Sequence, residues 1–361
     1  MPLTKTKTLM VRGRPAIGVG ISPYIISEIG TNHNQSLETA RELVRQTAIA
    51  GCDCAKFQIY EPNEIVSENV HSSVYGLDEK YGDVSARDIF EYHLKTPKEW
   101  FPELLDFCHE LGLDCCITIH GEHGLQWARN LSVDLIKLAS MDHTNIPFME
   151  SLVDSIDVPI IASFGMAVLD DIDEAVAILR NHSAGFALFH CVAIYPPKID
   201  EMHIRNIAFL RERYGLQVGF SDHTSDTVTC IAAVAQGATV FEKHLTLDCA
   251  QDGPDHKFAL EPKEMTTFVG NIQNTYKALG QDGFNEPSKQ ELINRKLYLK
   301  SIILKRDLPA GHRITRKDIY LARPGTGLQP KYLNEVLSGK LLVRDVYAEQ
   351  PLLKEDLALT E

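Results

Sequence analysis

Eight short apolar segments alternate with helical patterns between the N-terminal region and Leu279. The segments that predict strands are Tyr24–Ser27, Cys54–Gln58, Asp114–Thr118, Leu135–Ala139, Pro159–Ser163, Phe186–Cys191, Gln217–Phe220 and Thr239–Phe241. The helical patterns are Leu37–Ala50, Pro97–Leu111 with Thr96 as its N-cap, Pro147–Ser155, Asp170–Asn181, Glu201–Tyr214, Thr227–Gly237 and Glu261–Leu279. Eight such repeats over roughly 250 residues predict a (β/α)8 TIM barrel. A doubly wound open sheet is the alternative, but no G-x-G-x-x-G motif follows the first strand.

The segments on either side of this repeat differ from it in composition. Residues 8–20 predict a short hairpin before the barrel, and Ser67–Tyr92 is long for a βα loop, as are loops that cover active sites. We therefore predict a barrel domain over residues 1–283, hairpin included. Residues 284–300 read as a linker with a helix around Ser288–Arg295. Residues 301–361 predict a small β-rich domain.

Charge and cysteine content exclude several classes of protein. The formal net charge is −13, so the chain has no basic surplus for neutralising nucleic-acid phosphates. No segment approaches the length of a membrane span, and no apolar leader precedes the first predicted strand. The eight cysteines lack paired C-x-x-C knuckles, which favours reduced thiols and a cytoplasmic protein.

Two histidines follow neighbouring predicted strands near the end of the repeat. His223 lies in Ser-Asp-His after Phe220, and His244 lies in Glu-Lys-His after Phe241. Parallel strands place both at one end of the barrel, where catalytic groups converge. Neutral imidazoles are common metal ligands, and two of them leave coordination positions open. A structural role is the alternative for each histidine.

Polar residues at the other strand ends predict a site for an anionic ligand. Lys56 and Lys137 each lie within apolar strand sequence, where an ammonium group is expected to face an anion or to trap a carbonyl. Hydroxyl groups follow several strands and supply further donors. The strand-end candidates are Glu28, Lys56, Gln58, Thr118, Lys137, Ser140, Ser163, Tyr195, Ser221 and Glu242.

A series of segments carries these candidates in a distinctive order. The segments are Ser27-Glu-Ile-Gly-Thr-Asn-His33, Ala55-Lys-Phe-Gln58, Ile136-Lys-Leu-Ala-Ser140, Ser221-Asp-His-Thr224, Glu242-Lys-His244 and Gly253-Pro-Asp-His-Lys257. Together they resemble the N-acetylneuraminate (sialic acid) synthase family. Arg323-Pro-Gly-Thr-Gly327 resembles the antifreeze-like (SAF) domain of that family. The resemblance runs across nearly the whole chain.

The resemblance implies a reaction and its participants. The family condenses phosphoenolpyruvate with the open-chain aldehyde of an N-acetylated amino sugar and releases phosphate. It uses a divalent metal, typically Mn²⁺ with Mg²⁺ or Co²⁺ as alternatives, which His223 and His244 would hold here. It also forms a homodimer in which the SAF domain of one chain caps the barrel of its partner.

The resemblance also implies a role for each matching residue. Lys56, Lys137, Ser140, Ser163 and Ser221 would hold phosphoenolpyruvate. The sugar would contact Glu28, Tyr195 and Asp255, with Arg323 reaching its acetamido group from the partner chain. Glu242 would order the metal site and its water.

Four positions depart from the family pattern. Met141 stands in place of glycine, Phe164 in place of threonine, Ala193 in place of a polar residue, and Ile119-His120 in place of Pro-Phe. Because they are expected near the ligands, these changes favour an altered sugar preference. Two alternatives remain open: a Schiff-base pyruvate aldolase using Lys56 or Lys137, and a sugar-binding or scaffold protein that keeps a relic site.

Overall fold

A computed structural model describes residues 6–358 of the chain. It contains two compact units, Met1–Leu279 and Gly280–Glu361. Within the first unit, eight parallel strands of the described chain close into a barrel, as the repeat predicted. These strands are β3 Tyr24–Glu28, β4 Cys54–Tyr60, β5 Asp114–His120, β6 Leu135–Leu138, β7 Ile160–Ser163, β8 Phe186–Cys191, β9 Gln217–Asp222 and β10 Val240–His244. The order around the barrel follows the chain, and β10 closes it against β3.

Helices connect the strands and cover the outside of the barrel. The α-helices of the first unit are α1 Leu37–Ala50, α2 Pro62–Ile65, α3 Asp78–Tyr81, α4 Ala86–Ile89, α5 Phe101–Glu110, α6 Gly121–Ala128, α7 Ile146–Ser155, α8 Leu169–Leu179, α9 Asn206–Tyr214, α10 Val228–Ala235 and α11 Pro262–Leu279. The sequence pattern does not predict helix α6, between β5 and β6. Its eight residues carry two glycines and too few apolar positions for a helical period to stand out.

Two predicted helix starts are wrong. Thr96 is not an N-cap, because its hydroxyl is buried and lies 2.9 Å from Nε2 of His33, while a 3₁₀ turn over Lys98–Trp100 leads into α5. The pattern from Glu201 is also interrupted, and the α-helix begins only at Asn206. At Thr96 a tertiary contact overrides the local preference for a helix start, and at Glu201 a 3₁₀ turn does so.

The barrel interior is layered from an apolar end to a polar end. The predicted hairpin is present as β1 Leu9–Val11 and β2 Arg14–Ile17. Its apolar side chains pack in one cluster with inward-facing residues of the strand beginnings. The barrel members of this cluster are Tyr24, Ile26, Cys54, Cys116, Leu135, Ile161, Ala187, Phe189 and Val240. Because alternate strand residues face inward, the following inward positions are the polar ones at the carboxyl ends.

The second unit is a small domain with its own apolar core. Helix α12 Lys289–Tyr298 occupies the predicted linker, with Ser288 as its N-cap. Strands β11 Ser301–Leu304 and β12 Ile319–Ala322 pair antiparallel, and α13 Leu333–Leu337 follows. Asp318, at the start of β12, is fully buried and accepts hydrogen bonds from Arg306, His312 and Thr315.

Asp318 gives the second unit a predictable sensitivity to acid. Burial would raise the pKa of this carboxyl, but hydrogen bonds from Thr315, Arg306 and His312 hold it well below its usual range. A lowered folded-state pKa stabilises the fold above about pH 4, and the stabilisation is lost as the pH falls through the folded value. We expect Asp318→Asn to cost about 2–3 kcal/mol at pH 7 and to flatten this dependence. Hydrogen exchange of the peptide around β11, measured from pH 3 to 7 in both proteins, checks it; parallel profiles contradict it.

All eight cysteines are free thiols, and seven of them are buried. Of the helices between residues 6 and 358, none has both the length and the apolar character needed to cross a bilayer.

Candidate active site

A cavity of about 400 Å³ lies at the carboxyl ends of the barrel strands. It brings together all thirteen candidate residues that the sequence analysis placed in the barrel domain. They are Glu28, Lys56, Gln58, Thr118, Lys137, Ser140, Ser163, Tyr195, Ser221, His223, Glu242, His244 and Asp255. Arg323, the remaining candidate, is an exposed residue of the second unit whose guanidinium lies 5.1 Å from the ring centre of Tyr298.

Successive side chains of β9 and β10 face opposite sides of the sheet. This alternation explains the composition of the motifs Ser221-Asp-His and Glu242-Lys-His. Ser221 and Glu242 are paired in register and face the cavity, as do the two histidines that follow them. The intervening residues, Asp222 and Lys243, face the helical layer, where Nζ of Lys243 donates to Oδ2 of Asp222 at 2.7 Å. Both side chains are fully buried. Each motif therefore combines cavity residues with one half of a structural ion pair.

The floor of the cavity carries two buried cations and two buried carboxylates. Nζ of Lys56 lies 2.8 Å from Oε2 of Glu28 and donates to Oγ1 of Thr118 at 2.9 Å. Glu242 contacts Nζ of Lys137 at 3.2 Å and Nζ of Lys56 at 3.7 Å. Buried charges of this kind are tolerated only when they are paired. The floor is formally neutral before any ligand binds.

Glu242 links the two lysines. Its carboxylate also accepts a hydrogen bond of 3.1 Å from the Ser221 hydroxyl. Burial would raise the pKa of Glu242, but the ammonium groups of Lys137 and Lys56 lower it to about 2. Burial raises the pKa of Glu28, and the charge of Lys56 opposes that shift. Glu242 is therefore ionised at neutral pH.

The same contacts argue against a Schiff-base mechanism at Lys56. Burial lowers the pKa of its amine, but the carboxylates of Glu242 and Glu28 outweigh burial and raise it above its usual value. A lysine that attacks a carbonyl must be neutral, which a flanking pair of carboxylates opposes. Lys137 is likewise held by a carboxylate, that of Glu242.

Two hydroxyls are placed to receive a ligand beside the lysines. Oγ of Ser163 is buried and has no hydrogen-bond partner within the described chain. Oγ of Ser140 accepts from the backbone N–H of Gly165 at 2.9 Å, so its own proton is free to be donated. An unpartnered buried hydroxyl costs stability unless a ligand satisfies it.

The two histidines fit a divalent cation. Their ring centres are 5.4 Å apart, and both side chains are buried. Burial lowers the pKa of His223 to about 4. Burial also lowers the pKa of His244 well below its usual range, and a proton on His223 would lower it further. Both are therefore neutral, the form that binds metals. Nδ1 of His244 is a buried nitrogen with no hydrogen-bond partner among residues 6–358.

No larger ligand set completes this pair. Within residues 6–358, no group of three or more His, Cys, Asp or Glu side chains is arranged to hold a metal ion. Oδ2 of Asp255 lies 3.9 Å from Nδ1 of His244, which is outside bonding distance. Two histidines alone would leave most coordination positions to water and substrate, as an open catalytic site requires.

The residues expected at the sugar line the same cavity, and Glu28 among them belongs to its floor. Nε2 of Gln58 donates to Oε1 of Glu28 at 2.8 Å. Asp255 accepts from Oγ1 of Thr31 at 3.1 Å, and burial followed by the charge of Glu28 raises its pKa to about 6. Tyr195 is half exposed, and its ring centre lies 4.5 Å from that of His223.

Gly30 is required where β3 turns away from the site. Its φ angle is +51°, and a Cβ there would lie 3.0 Å from Oε1 of Glu28, 3.3 Å from Oδ2 of Asp255 and 3.4 Å from Nε2 of Gln58. A side chain would push the carboxylates of Glu28 and Asp255 aside by a few tenths of an ångström and would touch the Gln58 amide. The glycine of the Ser-Glu-Ile-Gly motif therefore serves the geometry of the site.

We expect Gly30→Ala to lower kcat/KM by about 10–100-fold, because small displacements of positioned groups are costly. The positive φ adds a stability cost of about 1–2 kcal/mol. Gly112→Ala is the matched control, since Gly112 has φ +78° and a Cβ added there would meet no atom within 4 Å. Steady-state kinetics and thermal unfolding of both variants test this. Equal kinetic losses in the two variants would show that backbone strain alone is responsible.

Sequence reasoning missed several residues that line the cavity. Cys191 ends β8 and lies beside His223, with 3.8 Å between Sγ and Nδ1. Burial raises the pKa of its thiol to about 11, so it is protonated. Tyr60 ends β4 in the same way. Cys191 already ends the predicted strand Phe186–Cys191 and shares its inward face, and continuing the two-residue alternation past Gln58 would have found Tyr60.

The long segment after β4 also contributes to the cavity. Ile65, Tyr75 and Phe90 line it. This segment holds α2, α3 and α4 together with a π-helical turn over Phe90–Leu94. The expectation that this insertion covers the site agrees with these contacts.

The four departures from the family pattern differ in their positions. Met141, Ala193 and His120 line the cavity. Phe164 is not among its lining residues and instead belongs to the main buried core. Phe164 also lines an adjoining cavity that shares Cys191 and Ala193 with this one, so the expectation that all four lie near the ligands stays a prediction.

Comparison with known proteins gives a consistent picture. A family model described as the NeuB family matches residues 43–283, and a SAF domain model matches residues 300–358. An N,N'-diacetyllegionaminic acid synthase from Legionella pneumophila is 31% identical over 336 residues, which span 92% of this chain and 94% of the relative. A pseudaminic acid synthase from Helicobacter pylori is 28% identical, spanning 93% of this chain and 98% of the relative.

A solved structure shares the fold as well. The N-acetylneuraminic acid (sialic acid) synthetase from Leptospira borgpetersenii serovar Hardjo-bovis, in complex with citrate, superposes with a TM-score of 0.72 at 28% identity. The match covers 81% of this chain and 96% of that chain.

Proposed function

Because this chain belongs to the NeuB family and carries a C-terminal SAF domain, we propose that it is a nonulosonate synthase. It condenses phosphoenolpyruvate with the open-chain aldehyde of an N-acetylated amino sugar and releases phosphate. One observation carries this function: paired buried lysines and free hydroxyls share a single cavity with two neutral histidines. The first set suits an anionic enol, and the second suits a cation that activates a carbonyl.

The proposed reaction forms one carbon–carbon bond. C3 of phosphoenolpyruvate attacks the aldehyde carbon, whose oxygen takes up a proton and becomes a hydroxyl. Water adds at C2 and gives up a proton. The C2–O bond then breaks, and phosphate leaves with the bridging oxygen. Oxygen from labelled water should therefore appear in the sugar product and not in phosphate.

Lysines and hydroxyls bind the phosphoenolpyruvate in this proposal. Lys56 and Lys137 supply charge, while Ser140, Ser163 and Ser221 donate hydrogen bonds. The buried, unpartnered hydroxyl of Ser163 supports this assignment most directly. Glu242 keeps both ammonium groups in place before the substrate arrives, which lowers the reorganisation needed on binding.

The cation and the sugar would occupy the mouth of the cavity. His223 and His244 would hold a divalent ion, and we propose Mn²⁺, with Mg²⁺ or Co²⁺ as alternatives. When bound, such an ion polarises a carbonyl oxygen and stabilises the charge that develops there. Glu28, Gln58, Tyr195 and Asp255 would orient the sugar hydroxyls.

We also propose a homodimer in which the SAF domain of one chain caps the barrel of its partner. Arg323 would then contact the acetamido group of the sugar. The exposure of this side chain leaves it free to do so. Sedimentation of the purified protein tests the dimer. Arg323→Ala should raise KM for the sugar more than KM for phosphoenolpyruvate.

Phosphate release from phosphoenolpyruvate tests the function. The assay uses a panel of N-acetylated hexoses, including N-acetylmannosamine and 2,4-diacetamido sugars, with Mn²⁺ or with a chelator. We expect sugar-dependent release that the chelator stops, and His223→Ala should reduce kcat/KM by about 10²–10³-fold. His109→Ala, at the opposite end of the barrel, is the control. Absence of release from a folded, metal-loaded protein would favour the relic-site alternative instead.

A further inference from the structure

His120 is held by a carboxylate in the wall of the cavity. Nδ1 of His120 lies 2.9 Å from Oδ2 of Asp142, and both residues are about 95% buried, each with 5% of its surface exposed. Asp142 belongs to the 3₁₀ turn Ser140–Asp142. This turn begins at Ser140, whose hydroxyl is one of those proposed to bind phosphoenolpyruvate. A carboxylate that accepts from Nδ1–H fixes the orientation and tautomer of the ring. In the neutral form, this leaves Nε2 as an acceptor.

Nε2 of His120 retains access to the cavity. The hydrogen bond to Asp142 is the one that this ring makes within the described chain, and it uses Nδ1. Nε2 has no hydrogen-bond partner among residues 6–358, but it is not fully buried, so part of its surface is accessible. His120 is one of the residues that line the cavity, so this partly accessible nitrogen is available to a ligand there.

A second polar group beside His120 also lacks a protein partner. Tyr60 is paired in register with His120, and their ring centres are 6.0 Å apart. The Tyr60 hydroxyl is buried and has no hydrogen-bond partner in residues 6–358. Burial, followed by the charge of Asp255, raises the pKa of Tyr60, so the hydroxyl is a donor. The paired residues at the ends of β4 and β5 thus carry one donor and one acceptor that are unpartnered within the described chain.

Barrel order places His120 opposite one of the candidate metal ligands. Strand β5 is four strands from β9 around the closed barrel, so His120 lies across the mouth from His223. A ligand whose carbonyl lies at the histidine pair could therefore extend toward His120. Met141, another departure from the family pattern, lines the same cavity and is half exposed.

We propose that His120, oriented by Asp142 and adjoined by the Tyr60 hydroxyl, forms a polar subsite that selects the sugar through one hydroxyl or acetamido substituent. This inference rests on the proposed function and deepens it. His120 occupies a position where the resemblance leads us to expect phenylalanine, which could form no such hydrogen bond. A pocket that hydrogen-bonds a substrate group strongly rejects analogues without it.

Kinetics with a set of analogues test this subsite. The wild type and His120→Phe are assayed with N-acetylmannosamine, a 2,4-diacetamido hexose and the deoxy analogues of each. We expect His120→Phe to lower kcat/KM for the preferred sugar by about 10–100-fold, chiefly through KM, and to leave KM for phosphoenolpyruvate within about threefold. In the wild type, kcat/KM should be lower for the one deoxy analogue that lacks the recognised substituent, and this difference should disappear in His120→Phe. Equal losses on every sugar, or no losses, would overturn the proposal.

Two further variants separate selection from folding. His120→Gln keeps a hydrogen-bonding group and should retain part of the discrimination. Asp142→Asn should weaken the same discrimination without removing Nε2. The control is His109→Phe, because Nε2 of His109 lies 2.8 Å from Oδ2 of Asp134 in a comparable pair at the start of β6. If His109→Phe also loses discrimination among the sugars, general destabilisation explains the effect of the His120 variants.

Sugar binding without turnover distinguishes the subsite from the proposed reaction. Calorimetric titration of the same sugars into the metal-loaded protein, without phosphoenolpyruvate, reports the subsite alone. If the wild type binds selectively and His120→Phe does not, the subsite stands even when no phosphate is released. If neither protein discriminates among the sugars in binding or turnover, the subsite is refuted regardless of catalysis.

Discussion

Replacing Lys243 by methionine is expected to lower the free energy of unfolding by about 3–5 kcal/mol. The ammonium group of Lys243 is fully buried and donates to Oδ2 of Asp222 and to the backbone carbonyls of Thr224 and Asp226. Methionine has a similar volume but no charge, so the Asp222 carboxylate would remain buried without its cation. That uncompensated charge is the main source of the loss.

The loss should extend to the active site. Asp222 also accepts hydrogen bonds from Thr224 and Thr229, which fixes the turn that follows β9. His223 lies inside this turn, and His244 is the residue after Lys243. We therefore expect weaker metal affinity as well as lower stability, because supporting groups of metal ligands commonly contribute 10–100-fold to affinity.

Urea unfolding and metal titration measure these two effects. Lys263→Met is the matched control, since Lys263 is exposed on α11 in the same unit. A loss of less than about 1 kcal/mol in Lys243→Met would contradict the structural role. A combined Asp222→Asn, Lys243→Met variant should recover part of the stability, because it removes both charges.

Replacing Glu242 by glutamine is expected to lower kcat/KM by about 10³-fold. The variant keeps the shape of the side chain but removes the charge that both floor lysines share. The glutamine amide would face the two ammonium groups and the Ser221 hydroxyl either with its N–H groups, which cannot accept their hydrogen bonds, or with its oxygen, which is a weaker acceptor than a carboxylate. The groups proposed to bind phosphoenolpyruvate would separate, and preorganised electrostatic stabilisation would be lost.

The kinetic pattern identifies the cause of this loss. We expect kcat to fall along with kcat/KM, because the lysines would no longer be held for the transition state. Glu150→Gln, on an exposed position of α7, controls for the chemical change itself. Wild-type kcat in Glu242→Gln with only KM raised would mean that Glu242 affects ground-state binding alone.

Much of the fold and the site could be predicted from local signals. The strand pattern is short, apolar and bounded by turns, which is why the centres of all eight barrel strands are predicted correctly. Lys56 and Lys137 stand out because ammonium groups are rare within apolar strands. Helix α6 and the start of α5 are not predicted, since glycine content and the Thr96–His33 contact override propensity there.

What the sequence determined by itself is the set of groups and the end of the barrel at which they meet. Alternation along each strand places every second side chain inward, and parallel strands direct their carboxyl ends to one face. Pairings between distant side chains depend on strand register and barrel closure and could not be read from the chain. Pairing of neighbouring strands sets Glu28 on Lys56, Asp222 on Lys243 and Asp142 on His120, and closure of the barrel brings Glu242 to both lysines. These contacts join residues up to 186 positions apart and decide charge states that local sequence leaves open, because burial makes each charge depend on its nearest partner.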